Sequence, residues 1–281
     1  MVYLLALGSA VLYGAADFTG GLTSRRAGAV AVVLVSQAAG LAGLALLLPF
    51  LPAASPSRLD LLWGVAAGVT GGIGVGLLYR ALAIGTMTVV APTTAVCAVA
   101  IPVIVAVLLG ERPVPVAAVG ILLGIVSIVL VSQQRRAAEP ERVSRRGVGT
   151  ALAAGVAIGL FYLALARTRS DAGAWPLLVS RFVSVALFVA VATARRQSLR
   201  MPASVGGLVV MCGVGDMLAN ALYMVAARVG PLSIVVTLSS LYPASTALLA
   251  RAVLGERLSP LQTAGVGCAL AAVVLIVGGA R

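Results

Sequence analysis

Long apolar runs alternate along the chain with short breaks rich in Arg, Pro and Gly. A bilayer core about 30 Å thick is crossed by about 20 apolar residues of helix. By that measure the pattern predicts ten spans, at about 2–21, 29–50, 61–83, 87–109, 114–133, 148–166, 174–194, 204–227, 231–253 and 260–279. Two connections exceed a turn by much. One is Pro52–Asp60, rich in Pro and Ser; the other is Gln133–Arg146, with five Arg and two Glu, at the midpoint of the chain. The fold class expected is an all-α polytopic membrane protein.

The two halves repeat. Gly110-Glu111-Arg112 recurs as Gly255-Glu256-Arg257, an offset of 145. The same offset pairs Gly14 with Gly159, Gly68 with Gly213, Gly85 with Gly230, Val90 with Val235, Pro115 with Pro260 and Gly120 with Gly265. One constant shift relates all five pairs of spans, so the chain divides into a five-helix repeat at 1–134, a basic connecting loop at 135–146 and a second five-helix repeat at 147–281. Five is odd, so the second copy enters the membrane from the opposite side. Inverted repeats of this kind are the architecture of secondary transporters, which alternate access around a midplane site.

Composition narrows the function. The 281 residues are 61% hydrophobic and 10% charged, far below the roughly 25% charge of a soluble domain. A soluble enzyme, a disordered chain and a nucleic-acid module are excluded, despite the net charge of +12. All 20 basic residues are Arg, and 19 of them sit at or near span ends, where they anchor helices. The absence of His removes metalloprotease, haem and Ser-His-Asp sites. Cys97, Cys212 and Cys268 lie in apolar runs without CxxC spacing and read as buried small hydrophobes. No catalytic residues, metal or cofactor are called for. Eight scattered carboxylates without His do not make the catalytic cluster of a lipid-processing enzyme, and a channel would want rings of like charge or a filter loop. Aromatics are only 5%, so composition gives no indication of a cage for a quaternary cation.

Ten spans in two five-helix repeats, each with Gly-Glu-Arg after its fourth span, resemble the EamA branch of the drug/metabolite transporter superfamily. Tyr13-Gly14-Ala15-Ala16-Asp17-Phe18 is similar to that family's opening helix. The resemblance covers essentially the whole chain. It implies a non-enzymatic, multi-pass carrier of the plasma (inner) membrane, monomer or homodimer, contacting lipid, a small-molecule substrate and protons. Its cargo would be a small metabolite such as an amino acid, sugar, nucleobase or drug-like solute. Movement would be by proton coupling or exchange, with efflux the favoured direction.

Candidate site residues come from groups that lipid does not tolerate. An ionisable side chain deep in a span faces the bundle interior or a cavity. Asp216 lies mid-way along span 8, Arg181 about two turns into span 7, and Asp17 near the end of span 1. Asn220 and Tyr223 follow Asp216 at i+4 and i+7, on one helical face. Arg181 and Asp216 are at neighbouring depths and are able to pair, either as a static buried salt bridge or as a coupling site. In the second case Asp216 is the protonatable group, because burial and a nearby Arg act oppositely on a carboxyl's proton affinity. Tyr13, Gln37, Thr94 and Tyr242 complete the candidate set, with Thr93, Cys97, Ser239 and Ser240 nearby. The offset pairs Asp216 with Gly71, Asn220 with Val75, Arg181 with Ser36 and Asp17 with Tyr162, so the scaffold is symmetric and the charges are not.

Three further expectations concern the scaffold. The Gly-Glu-Arg copies should form helix-ending corners with a local ion pair or cap. Gly64, Gly68, Gly72 and Gly76, at i+4 intervals, should let span 3 approach a neighbour closely. Pro92 and Pro243 should interrupt spans 4 and 9, freeing backbone carbonyls to line a cavity or merely kinking the helix. The Arg distribution, 13 on the central-loop side against 6 on the other, puts the central loop in the cytoplasm. The resembling family has cytoplasmic termini, so the two indications of orientation conflict.

Overall fold

The computed structural model describes residues 1–24, 26–84, 87–131, 145–197, 199, 201–254 and 259–278. Among them lie eleven α-helices and no strand. They are α1 (Val2–Ser24), α2 (Ala29–Leu47), α3 (Arg58–Ile84), α4 (Met87–Leu108), α5 (Pro115–Val131), α6 (Arg145–Ala166), α7 (Trp175–Ala194), α8 (Ala203–Val229), α9 (Leu232–Ser239), α10 (Tyr242–Leu254) and α11 (Pro260–Gly278). Helix is the form these runs must take, because lipid offers no partner to an open backbone N–H or C=O. Six of the helices are long and apolar enough to cross a membrane by length and composition, and shorter apolar stretches lie within α4, α5, α9–α10 and α11. Large apolar side chains such as Leu46, Phe50, Phe182, Met211, Leu270 and Val274 point outward. That exposure is costly in water and favourable against acyl chains.

The packing repeats as the sequence does. α1 lies on α8 as α6 lies on α3, α2 lies on α8 as α7 lies on α3, and the repeat mates α5 and α11 pack together. In the last pair Gly120 meets Ile276, Gly124 meets Ala272, and Ser127 Oγ donates to the Gly265 carbonyl at 2.8 Å. Partner numbers fall as α5 numbers rise, so the mates run antiparallel. Antiparallel mates are what an inverted duplication requires. The α1–α8 and α3–α6 interfaces are antiparallel in the same register: Gly8 meets Leu222 and Gly20 meets Cys212, while Gly71 meets Phe161 and Gly74 meets Ile158.

The glycine face of α3 docks on α7 over three of its four residues. A Cβ at Gly64 would stand 2.6 Å from the Pro176 carbonyl oxygen, one at Gly68 2.6 Å from that of Ser180, and one at Gly72 2.7 Å from Leu187. Nothing lies within 4 Å of the corresponding point at Gly76.

The first Gly-Glu-Arg corner ends α4 as expected. Gly110 has φ +100, its N–H bonds the Val107 carbonyl at 3.0 Å, and the Glu111 N–H reaches back to Ala106 at 3.0 Å. This is the paired bonding of a Schellman motif. The cap is not local, though. The Glu111 carboxylate accepts from the N–H groups of Leu232 and Ser233, at 2.6 and 3.1 Å, and from Ser233 Oγ at 2.7 Å. It closes the N-terminus of α9 in the opposite repeat, where three free donors and the helix dipole favour an anion. The second copy at 255–257 lies outside the described residues.

The prolines act unequally. α4 is continuous through Pro92 and Pro102. Span 9 does break, at Ser240–Leu241, just ahead of Pro243. Pro243 has no N–H to offer the carbonyl four residues back, so the helical ladder opens ahead of it, while Pro in the first turn of a helix loses nothing, which is its place in α10. Ser240 Oγ is buried at this break and is the one buried side-chain polar atom without a hydrogen bond among the described residues.

Candidate functional site

A cavity of about 160 Å³ lies between the repeats, lined from α1, α2, α3, α6, α7, α8 and α10. Its polar centre is an ion pair. Arg181, on α7, sends one guanidinium nitrogen to Asp216 on α8 and another to Gln37 Oε1 on α2. The Arg181 side chain is 7% exposed and that of Asp216 31%, so the cation is sealed in the wall while the carboxylate opens to the cavity. A buried charge is tolerated only when its partners are in place. Here two side chains from two other helices supply them.

A second set of bonds fixes the neighbouring wall. Tyr13 Oη donates to Asn220 Oδ1 at 2.7 Å, and Asn220 Nδ2 donates to the Asp216 carbonyl at 2.7 Å, one turn back on α8. Ring contacts extend from Tyr13 in two directions. Its centroid lies 6.4 Å from that of Tyr162 and 6.1 Å from that of Tyr242, both edge-on. Phe161 stands 5.5 Å from Tyr162.

The structure brings Asp216, Arg181, Asn220, Asp17, Tyr13, Gln37 and Tyr242 to one cavity. It places the other two candidates elsewhere. Tyr223 is fully buried behind Tyr162, with centroids 4.7 Å apart, and its hydroxyl donates to the Tyr162 carbonyl at 3.0 Å. The i+7 spacing from Asp216 set its face roughly, but the residual rotation of seven residues over two turns and the bulk of Tyr162 turn it off the cavity. Thr94 faces α6, donating to the Ala151 carbonyl at 3.1 Å, and serves helix packing. Of the nearby hydroxyls, Ser239 Oγ reaches the Ala6 carbonyl at 3.3 Å, and the side chain of Thr93 lies outside the described residues.

Sequence reasoning passed over Phe161, Tyr162, Ser180, Ser184 and the small face Gly68, Gly71 and Gly72 as lining. Much of this was available from the offset of 145. Tyr162, Ile158, Gly71 and Val75 are the repeat mates of Asp17, Tyr13, Asp216 and Asn220, and all eight line the cavity. A site on a pseudo-two-fold axis is lined by both members of each pair, whatever their chemistry.

At one rim of the bundle, where α3 starts and α6 and α8 finish, the helix ends are tied together. Asp60 caps α3, accepting from Ser57 Oγ at 2.6 Å, and accepts the Arg169 N–H from the α6–α7 connection at 2.8 Å. From the end of α8, Arg228 donates to Thr168 Oγ1 at 2.7 Å and to the Gly173 carbonyl at 2.9 Å. Asp17 sits toward the other rim, and its side chain is exposed.

The fold is shared with solved proteins. A crystal structure described only as that of a protein superposes with a TM-score of 0.78 at 17% identity, covering 98% of this chain and 95% of that one. No curated protein matches the sequence. The model of the EamA-like transporter family matches twice, over residues 1–133 and 145–278, one match for each repeat. The chain therefore belongs to the EamA-like transporter family and is a multi-pass membrane transporter of the drug/metabolite transporter superfamily.

Proposed function

We propose that this chain is a secondary active transporter that moves a small metabolite by alternating access around the Arg181–Asp216 cavity. In this reading the protein spans the inner membrane ten times, as inverted repeats 1–134 and 147–281 joined by the basic loop, and drives efflux by proton coupling or exchange. The observation that carries it is a cavity with an ion pair at its centre, lined at repeat-equivalent positions from both halves. Equivalent walls are what rocking one half against the other needs. The rim held by Asp60, Arg169, Arg228 and Thr168, with Asp17 exposed toward the opposite rim, supports a state open on the side of the basic central loop. In the opposite state those bonds open and the far rim closes.

The α3–α7 contact supplies a surface for such movement, since glycines present no knobs to interlock. Asp216 is the coupling group in this reading. Its charge is balanced by Arg181 and open to the cavity, so a proton or a charged substrate alters the pair directly. Counterflow of radiolabelled metabolites in proteoliposomes tests the proposal. Exchange that requires solute on both sides supports it; uncoupled flux favours a channel, and turnover an enzyme.

A further inference from the structure

We propose that the cavity takes a small organic cation, an amine or quaternary ammonium group held by Asp17 against the rings of Tyr13, Tyr162 and Tyr242. This deepens the transporter reading and rests on it.

The charges of the wall do not cancel. Arg181 is the one cation among the described lining residues, and it is committed to Asp216 and Gln37. Asp17 is left over, and no described cation pairs with it. An anionic occupant would meet this carboxylate with the guanidinium already neutralised. A cation completes the pairing instead. Carboxylates are acceptors only, and so is the Tyr13 oxygen once its proton is given to Asn220. Both therefore suit a donor or a bare positive charge.

The rings supply the rest of the recognition. A cation within about 6 Å of a ring centroid is attracted to the negative face of the π system. Tyr13 is inclined 73° to Tyr162 and 62° to Tyr242, so the three rings turn faces and edges in different directions around the pocket. Asp17 lines the same cavity as Tyr162 and Tyr242. Of 13 aromatic residues in the chain, Tyr13, Phe161, Tyr162 and Tyr242 converge here. The low overall aromatic content concealed this, because composition does not report clustering. At about 160 Å³ the cavity suits a small cation.

The test uses the full chain in lipid nanodiscs and calorimetric titration with phenyltrimethylammonium and benzenesulfonate, which share a ring and differ in charge. The cation is expected to bind at least about tenfold more tightly, the scale of one desolvated cation–π or ionic contact. Asp17→Asn should lose about tenfold in cation affinity, with an unliganded melting temperature close to that of the parent. Should Asp17→Asn fold poorly, Tyr242 gives the second reading: Tyr242→Leu should weaken the cation more than Tyr242→Phe. Equal binding of the two compounds, unchanged cation affinity in well-folded Asp17→Asn, or equal losses in the two Tyr242 variants overturns the cation site. Counterflow separates the two layers. Exchange of benzenesulfonate but never of the cation overturns the cation site and leaves transport standing. Tight, Asp17-dependent cation binding with no exchange of any solute supports the cation site and overturns transport.

Discussion

Arg181 and Asp216 are ion-paired across α7 and α8, with the guanidinium buried and the carboxylate open to the cavity between the repeats. Removing one partner of such a pair leaves the other without compensation, at a cost of about 3–5 kcal/mol when burial is deep. The half-open Asp216 brings that figure down for Arg181→Leu, whereas Asp216→Leu strands the sealed guanidinium. Asp216→Leu should therefore lower the melting temperature in detergent more than Arg181→Leu, and the double variant should recover part of the loss. Strictly additive losses would mean that the pair contributes nothing to stability.

Asp216→Asn keeps the shape of the side chain and removes its charge. Uptake or counterflow measured between about pH 5 and pH 8, where stability is ordinarily greatest, should lose its pH dependence in this variant. A profile identical to that of the parent would remove Asp216 from the coupling role and leave the pair as a structural tie.

Gly72 faces Leu187 and Gly64 faces the Pro176 backbone, and these two glycines predict different outcomes. A side chain end is able to move, whereas a carbonyl does not. Gly72→Leu should abolish transport while leaving membrane insertion and yield near normal. Gly64→Ala should already cost stability, by about 1–3 kcal/mol for an overpacked contact. Normal transport by Gly72→Leu would show that the α3–α7 surface does not move.

Glu111 caps α9 from the opposite repeat with three hydrogen bonds. Glu111→Ala should lower stability by about 1–2 kcal/mol, the scale of a lost N-cap. Amide exchange should rise at Ile234 and Val235 before it rises in α8. Glu111→Gln keeps one acceptor oxygen and should fall between the two. Uniform exchange across α8 and α9 in Glu111→Ala would place the role of this residue outside the cap.

Arg228 and Asp60 hold one rim with bonds to the α6–α7 connection. Arg228→Met keeps much of the apolar stem and removes those donors. A Cys probe in the α6–α7 connection should then react faster with a membrane-impermeant thiol reagent. An unchanged rate would show that the rim stays closed without Arg228.

Much of the scaffold was legible in the one-dimensional pattern. The apolar runs coincide with the helices to within a few residues, and the offset of 145 reappears as matching interfaces with antiparallel mates. Seven of nine candidate side chains meet at one cavity for the same reason: lipid admits charged and polar groups only where they face inward. That argument fixes depth and inwardness, and little else.

What only the tertiary structure decided is which inward faces meet. Tyr223 and Thr94 point inward, yet one backs Tyr162 and the other packs on Ala151. Phe161 and Ser184 carry no charge to betray them, and they reach the cavity through the rotation of α6 and α7. Glu111 sits at a corner that reads as local, but its partners lie in the other repeat. Hydropathy reports the solvent a residue prefers, a property of the side chain alone. A contact depends on the rotation and neighbours of two helices at once, and that information is spread over the whole bundle.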